Sequence, residues 1–396
     1  MPITTASSLM FDGITGVYGI CLSATAAVSA FAGPMVARYV PFNVCTIILT
    51  VASVLAYVVC TLPQPLNDAT GQVKAGPVIG TMLAGFVYAF GTQNYLTVAA
   101  FFPSEAVVAL STGSGLAISL GAGLFIGLMN GPFPESWRKC YLVIAPTALL
   151  MPLVWWCLFD KTNREAAESS RRRSLKKEPL GLCNTSSDTD DKNGLEAEVV
   201  EINITESTKP GFGPHRSRTS FLFMTILPRY VLPLIICTTC AIFCLFGLAP
   251  SIQDLNRFPD APKGDLQFQL VFFAYGSAQF LFSALVAVQP IPIIWIWTGI
   301  EVVLTTIVFL QIWYPFLKSF WVWWFIMFLV GGCVGGSVTN TNYKISQDFR
   351  KAGEPDEVRS YANSYAGLGN FGGDALGGAI GLVVQLVIIP NLLPTT

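Results

Sequence analysis

Charge is excluded from ten long stretches of this chain, and that exclusion limits the possible folds more than any motif does. The stretches run roughly over 14–36, 42–62, 76–101, 106–130, 140–159, 230–250, 268–288, 291–313, 319–340 and 361–388. Each is near the length, about 20 mostly apolar residues, that an α-helix needs to cross a bilayer. Of the 47 Asp, Glu, Lys and Arg residues, 22 crowd into the 60 residues from Asp160 to Thr219, leaving 25 for the other 336. With 53% hydrophobic and 12% charged residues and a mean hydropathy of +0.57, the chain is too apolar for a soluble domain, where about a quarter of residues are charged. The expectation is an all-α polytopic membrane protein with the lipid bilayer as its solvent and ten spans arranged five plus five. Residues 1–159 form a first helical bundle, 160–219 a polar loop, and 220–396 a second bundle.

Several function classes drop out. The balance of 23 basic and 24 acidic residues gives no reason to expect a nucleic-acid partner. Nine of the ten cysteines lie in apolar runs and only Cys183 lies in the polar loop, so no secreted-type disulfide framework is expected. Cys237, Cys240 and Cys244 share one helical face, but no His or acidic residue accompanies them, and they read as small packing residues rather than a metal site. His215, the single histidine, sits in the loop, so no Ser-His-Asp triad or His-ligated metal can form inside the spans. No enzyme activity, cofactor or metal is expected.

Orientation follows from the basic residues. With the central loop in the cytosol, alternation places Arg38, Lys344, Arg350, Lys351 and Arg359 on the loop's side, 16 Lys and Arg residues in all. The opposite side receives six: Lys74, Arg138, Lys139, Arg257, Lys263 and Lys318. Arg229 stands at the boundary. Two features pull the other way. Asn184-Thr-Ser and Asn203-Ile-Thr are glycosylation sequons that would be silent in the cytosol. The arrangement also starts the chain on the lumenal side with no cleavable signal to carry it there. A further helix before the first span would resolve the second conflict, so the expectation is that one amino-terminal helix is missing.

The loop has a basic run from Arg171 to Lys177 and an acidic run from Asp188 to Glu206, with too little apolar surface to offset ordering entropy. It reads as a disordered tether between bundles, with regulation or sorting through cytosolic partners as the alternative. The stretch Thr219 to Tyr230 reads as an interfacial elbow leading into the sixth span.

Within the spans, glycine and isolated polar groups stand out. Gly113 and Gly115 mark the fourth span. Gly331/Gly335, Gly332/Gly336, Gly373/Gly377 and Gly377/Gly381 have the small-xxx-small spacing that lets helix backbones approach closely. Tight packing is one reading, and helices that slide or line a cavity during alternating access is the other. Gly367-Leu-Gly-Asn-Phe-Gly372 also matches a dinucleotide fingerprint but follows no strand, so it is a coincidence. Glu301 and Asp374 are ionisable groups inside spans with no basic residue in their own span. Such groups are rare, and a carboxylate withdrawn from water gives up its charge readily, so both are candidates for a proton pathway. Their structural alternatives are a snorkelling Glu301 and an Asp374 that caps a kink among glycines. Gln93, Asn94 and Tyr95 in the third span, Ser111 in the fourth, Asn340 and Thr341 in the ninth and Asn370 in the tenth complete the candidate solute pathway. The same polar groups could instead bond between helices.

Several of these segments resemble a known family. Leu96-Thr-Val-Ala-Ala-Phe-Phe-Pro103, Ser111-Thr-Gly-Ser-Gly115, Val330-Gly-Gly-Cys-Val-Gly-Gly-Ser-Val-Thr-Asn-Thr341 and Arg359-Ser-Tyr-Ala362 are similar in order and spacing to the battenin (Batten disease protein) family. Phe268 to Ala274 and the run from Leu232 are similar more loosely. The resemblance implies a major-facilitator-like fold in the lysosomal or vacuolar membrane. It also implies roles in organelle pH balance and in handling basic amino acids or glycerophosphodiesters, and a further helix before the first span. The chain departs from the family where acidic residues are usual, at Thr92, Ala241 and Val330, and where an arginine is usual, near Phe280. The expected function is a carrier of a small polar solute, with protons as a candidate coupling ion. The alternatives are a transport-inactive scaffold acting through the loop and another major-facilitator-like carrier such as a nucleoside transporter.

Overall fold

A computed structural model describes Met10 and residues 15–36, 39–61, 75–99, 104–158 except 135, most of 160–169, and 222–388 except 256, 292, 354 and 355. Among the described residues the chain is helical and has no strand. Ten helices are long and apolar enough to cross a membrane: α1 (Thr15–Val36), α2 (Phe42–Thr61), α3 (Ala75–Ala99), α4 (Ser104–Asn130), α5 (Trp137–Cys157), α6 (Ile226–Asp254), α7 (Leu266–Val288), α8 (Trp295–Trp313), α9 (Phe320–Lys351) and α10 (Asp356–Val383). The protein is therefore an all-α, multi-pass membrane protein. Most of the central loop, including Cys183, Asn184, Asn203 and His215, lies outside the described residues.

Prolines shape the two irregular helices. Proline lacks the N–H that an interior helical residue donates, so the hydrogen-bond ladder must shift around it. In α5, Pro146 sits at the start of a 3-10 turn over Ala145–Leu149, and a π turn over Val154–Leu158 follows Pro152. A π-helical segment over Leu222–Val231 contains Pro228 and leads without a break through the start of α6, so the described part of the stretch read as an elbow, from Leu222 on, is continuous with the helix instead. A second π turn, Phe243–Leu248, precedes Pro250. α9 likewise outruns its apolar stretch. It continues past Asn340 to Lys351, ending with Arg350 and Lys351 in its last turn, where cations favour the negative end of the helix dipole.

Polarity is distributed inside out, as lipid requires. Large apolar side chains face outward, among them Ile47, Val51, Leu120, Leu124, Val303 and Ile380. Thr, Ser, Asn and Gln side chains are buried against neighbouring helices. Because lipid is as apolar as leucine, burial of apolar area does not hold the helices together, and close packing does most of that work. Glycine provides it at two contacts. α7 lies between α4 and α9, and α10 lies against α1 and α6. A Cβ built on Gly115 would sit 2.7 Å from the Phe280 backbone N, and Gly331 and Gly335 press on the backbone at Tyr275 and Gln279. Gly373 and Gly377 meet Ile235 and Thr239 of α6, while Gly381 abuts Gly247. Gly113 has no neighbour within 4 Å and takes no part in these seams.

Candidate functional site

Where the first five helices meet the last five, a cavity of about 60 Å³ remains, lined by α3, α4, α6, α7, α9 and α10. A water-sized probe takes roughly 10–15 Å³ on this measure, so a few waters would fill it. It occupies the half of the bundle in which α6 begins. Helical phase selects its lining: Tyr88, Thr92 and Leu96 on one face of α3, Ser111 and Ser114 on α4, Val338 and Asn342 on α9, and Asn370 and Phe371 on α10. Leu234 and Gln279 add contributions from α6 and α7.

Much of the polar lining is only partly satisfied. The Thr92 hydroxyl donates to the Tyr88 carbonyl at 2.7 Å, and the Ser114 hydroxyl donates to the Ser111 carbonyl at 2.8 Å. Their oxygens remain able to accept. The Asn370 amide lies beside the Tyr88 phenol. Gln279 and Asn342, 6% and 3% exposed, each have a carboxamide oxygen without a partner. The Gln93 amide, also unpartnered, lies against Gly367 at the cavity wall. Beyond the cavity the two halves close. The Ser119 and Ser277 hydroxyls hydrogen-bond at 2.8 Å. The Thr15 hydroxyl donates to the Phe246 carbonyl at 2.9 Å, and the Gln385 carboxamide accepts from the Gly16 N–H at 2.7 Å.

The residues singled out from sequence divide accordingly. Ser111 and Asn370 line the cavity, and Gln93 backs it. Asn94 points elsewhere and donates to the Phe90 carbonyl, while Tyr95 packs on Trp155 of α5. Asn340 ties the α7–α8 turn to α9. Its carboxamide oxygen accepts from the Ile291 N–H at 2.8 Å and its nitrogen donates to the Gly336 carbonyl. Thr341 is fully buried with an unpartnered hydroxyl, away from the lining. Asp374 is 8% exposed, one turn past Asn370, within electrostatic reach of Tyr88 and Tyr275. Glu301 is 0% exposed and is not among the residues that line the cavity, although it too lies within electrostatic reach of Tyr275. Its surroundings are Cys237, Cys240, Cys244 and Cys333, from α6 and α9, and only the weakly donating Cys333 thiol is set against its carboxyl. Among the described residues neither carboxylate forms an ion pair and no group of side chains could hold a metal ion.

Sequence reasoning missed Tyr88, Ser114 and Gln279 as lining residues. A single amide inside an apolar span, such as Gln279, was the available signal. Of the positions at which the resemblance implied a charge, Thr92 lines the cavity, while Ala241 and Val330 are packed in the core.

Two comparisons bear on identity. No curated protein matches this chain. The family model described as CLN3 protein matches residues 15–390, nearly the whole chain and all ten membrane helices. The match spans the segments whose order and spacing resembled battenin, and the chain belongs to the CLN3 (battenin) family.

Proposed function

We propose that the protein is a carrier of a small polar metabolite across the lysosomal or vacuolar membrane, contributing to organelle pH balance. The observation that supports this best is the cavity between the two halves, because five of the six helices that line it bring amide or hydroxyl side chains to one place within the membrane, and the Gln279 and Asn342 carboxamide oxygens there are unpartnered. In a transporter of this type the solute site lies near mid-membrane where two bundles meet, and rocking of one bundle against the other exposes it to each side in turn. The glycine seams suit that motion, since they let α4 slide on α7 and α10 on α1 without unpacking large side chains. Asp374, beside the cavity, is the better placed of the two carboxylates to carry a proton. The excess of Lys and Arg on the side of the central loop favours a cytosolic loop, and the cavity then lies in the cytosolic half.

Metabolite profiling of organelles purified from cells with and without the protein tests this reading. One class of small polar compound should accumulate in organelles that lack the protein and clear on its return. Unchanged small-molecule contents, with the protein present in the membrane, would overturn it.

A further inference from the structure

The chemistry of the cavity lining restricts what it can hold, and this step rests on the carrier reading just given. No Lys, Arg, His, Asp or Glu lines the cavity. On α9, Lys344 follows Asn342 by two residues, which turns it to the opposite face of the helix, and it is engaged with other groups. On α10 the nearest cation is Arg359, two turns before Gly367 and about 12 Å away along the helix axis. Arg359 is buried and engaged with other groups, and it is not part of the lining. Asp374 stands one turn past Asn370 on the other side. An anion would therefore enter a membrane-embedded space with no counter-charge and with a carboxylate nearby, and in a medium of low polarity that cost is several kcal/mol. A cation would have the Asp374 carboxylate one turn beyond the lining but no charge within the lining itself to pair with.

The lining does supply groups suited to hydroxyls. Carboxamides both donate and accept, as hydroxyls do. Gln279 and Asn342 present two, one from α7 and one from α9, each with an unpartnered oxygen. Thr92 and Ser114 have already donated their protons to backbone carbonyls, so each can only accept from a ligand. A ligand that fills these positions must bring several donors. Tyr88 and Phe371, packed edge to face with ring centroids 4.9 Å apart, give an apolar aromatic corner against which the C–H groups of such a molecule can pack.

We propose that the cavity takes an uncharged, polyhydroxylated solute, a small polyol or sugar-like molecule, with the Gln279 and Asn342 carboxamides as the groups that select it. A molecule of this kind satisfies buried polar atoms that otherwise remain unpaired, and unpaired atoms are where selectivity is strongest. A site built to bond a hydroxyl discriminates against compounds that lack it.

The test is equilibrium binding of radiolabelled myo-inositol, xylitol and glycerol to the full-length protein in lipid nanodiscs, with inositol 1-phosphate and putrescine as charged comparisons. At least one neutral polyol should bind, and inositol 1-phosphate and putrescine should bind at least about tenfold more weakly. Gln279→Leu and Asn342→Leu should each weaken polyol binding about tenfold, equivalent to the loss of roughly 1.4 kcal/mol. Gln279→Glu, of the same shape, should also weaken it, which separates lost recognition from lost packing, and thermal melting would confirm that each variant is folded. Tighter binding of the phosphate or the amine, or no polyol binding by folded protein, overturns the proposal. The two readings fail separately. Polyol binding without flux in reconstituted vesicles sinks the carrier reading and leaves this one standing. Flux of an anion without polyol binding does the reverse.

Discussion

Asp260 shows what one residue outside the spans can hold in place. One carboxylate oxygen accepts from the backbone N–H of Phe320 and the other from the Ser319 hydroxyl, each at 2.7 Å, so a loop residue caps the first turn of α9. These bonds favour the charged form and hold the Asp260 carboxyl below its ordinary range. A lowered pKa in the folded state means that the stabilisation is present above the unfolded value, about 3.9, and is lost only as pH falls through the lower, folded one. The clasp therefore survives in an acidic compartment. Asp260→Ala should lower the melting temperature by the same amount at pH 7 and pH 5, and a penalty that vanishes at pH 5 would contradict the assignment. The two buried carboxylates carry a second expectation. Asp374→Asn should remove the dependence of flux on a pH gradient. Glu301→Leu should leave flux intact and raise the melting temperature, because the Glu301 carboxyl oxygens lack N–H or O–H partners in an apolar core. Flux unchanged in Asp374→Asn and lost in Glu301→Leu would exchange their roles. Sequence made both residues visible as charges in apolar runs. It could not rank them, because their distance from the cavity depends on the rotation of α8 and α10 about their axes.

At the scale of elements, the helices were legible because membrane thickness sets their length and charge marks their ends. The stretches read from sequence match the ten helices apart from the ends of α5, α6, α8, α9 and α10, where proline turns, polar end residues and the π turn over Val384–Ile388 that follows α10 escape a hydropathy argument. The faces were less legible. In a soluble helix the polar face is outside, but here apolar residues cover both the lipid side and most of the interior, so pattern alone does not say which side of α3 meets the cavity. Thus Asn94 and Tyr95 were grouped with Gln93, although Asn94 bonds back to its own helix and Tyr95 points to α2 and α5. Glycine spacing was informative but not specific to partner. Gly113 and Gly115 are two residues apart, and only Gly115 touches another helix. Gly115→Leu should therefore cost about 1–3 kcal/mol through overpacking against the α7 backbone, whereas Gly113→Leu should be close to neutral. Chemical unfolding of the two variants in detergent would check the contrast, and equal losses would show that the α4–α7 seam does not bear on stability.

For the whole molecule, the two halves touch along α1 with α10 and α4 with α7, and an alternating-access cycle has to open one end of these contacts while closing the other. In the conformation seen here the cavity lies toward the end where α6 begins, and the far end is held by Thr15, Gly16 and Gln385, with the Ser119–Ser277 bond nearer the middle. The serine pair has hydroxyl oxygens 2.8 Å apart on facing helices, so cysteines at the two positions fall within reach of a disulfide. Ser119→Cys with Ser277→Cys, oxidised in vesicles, should fix α4 against α7 beyond the cavity, abolish flux, and leave solute binding from the cavity side intact. Reduction should restore flux. Each single cysteine variant should behave as wild type under the same oxidant, which accounts for the nine free cysteines already described. If the crosslinked protein still transports, α4 and α7 do not separate during the cycle. Opening would then have to occur along α1 and α10 alone, where the Gly19–Gly378 approach and the Thr15–Gln385 bonds offer the next place to crosslink.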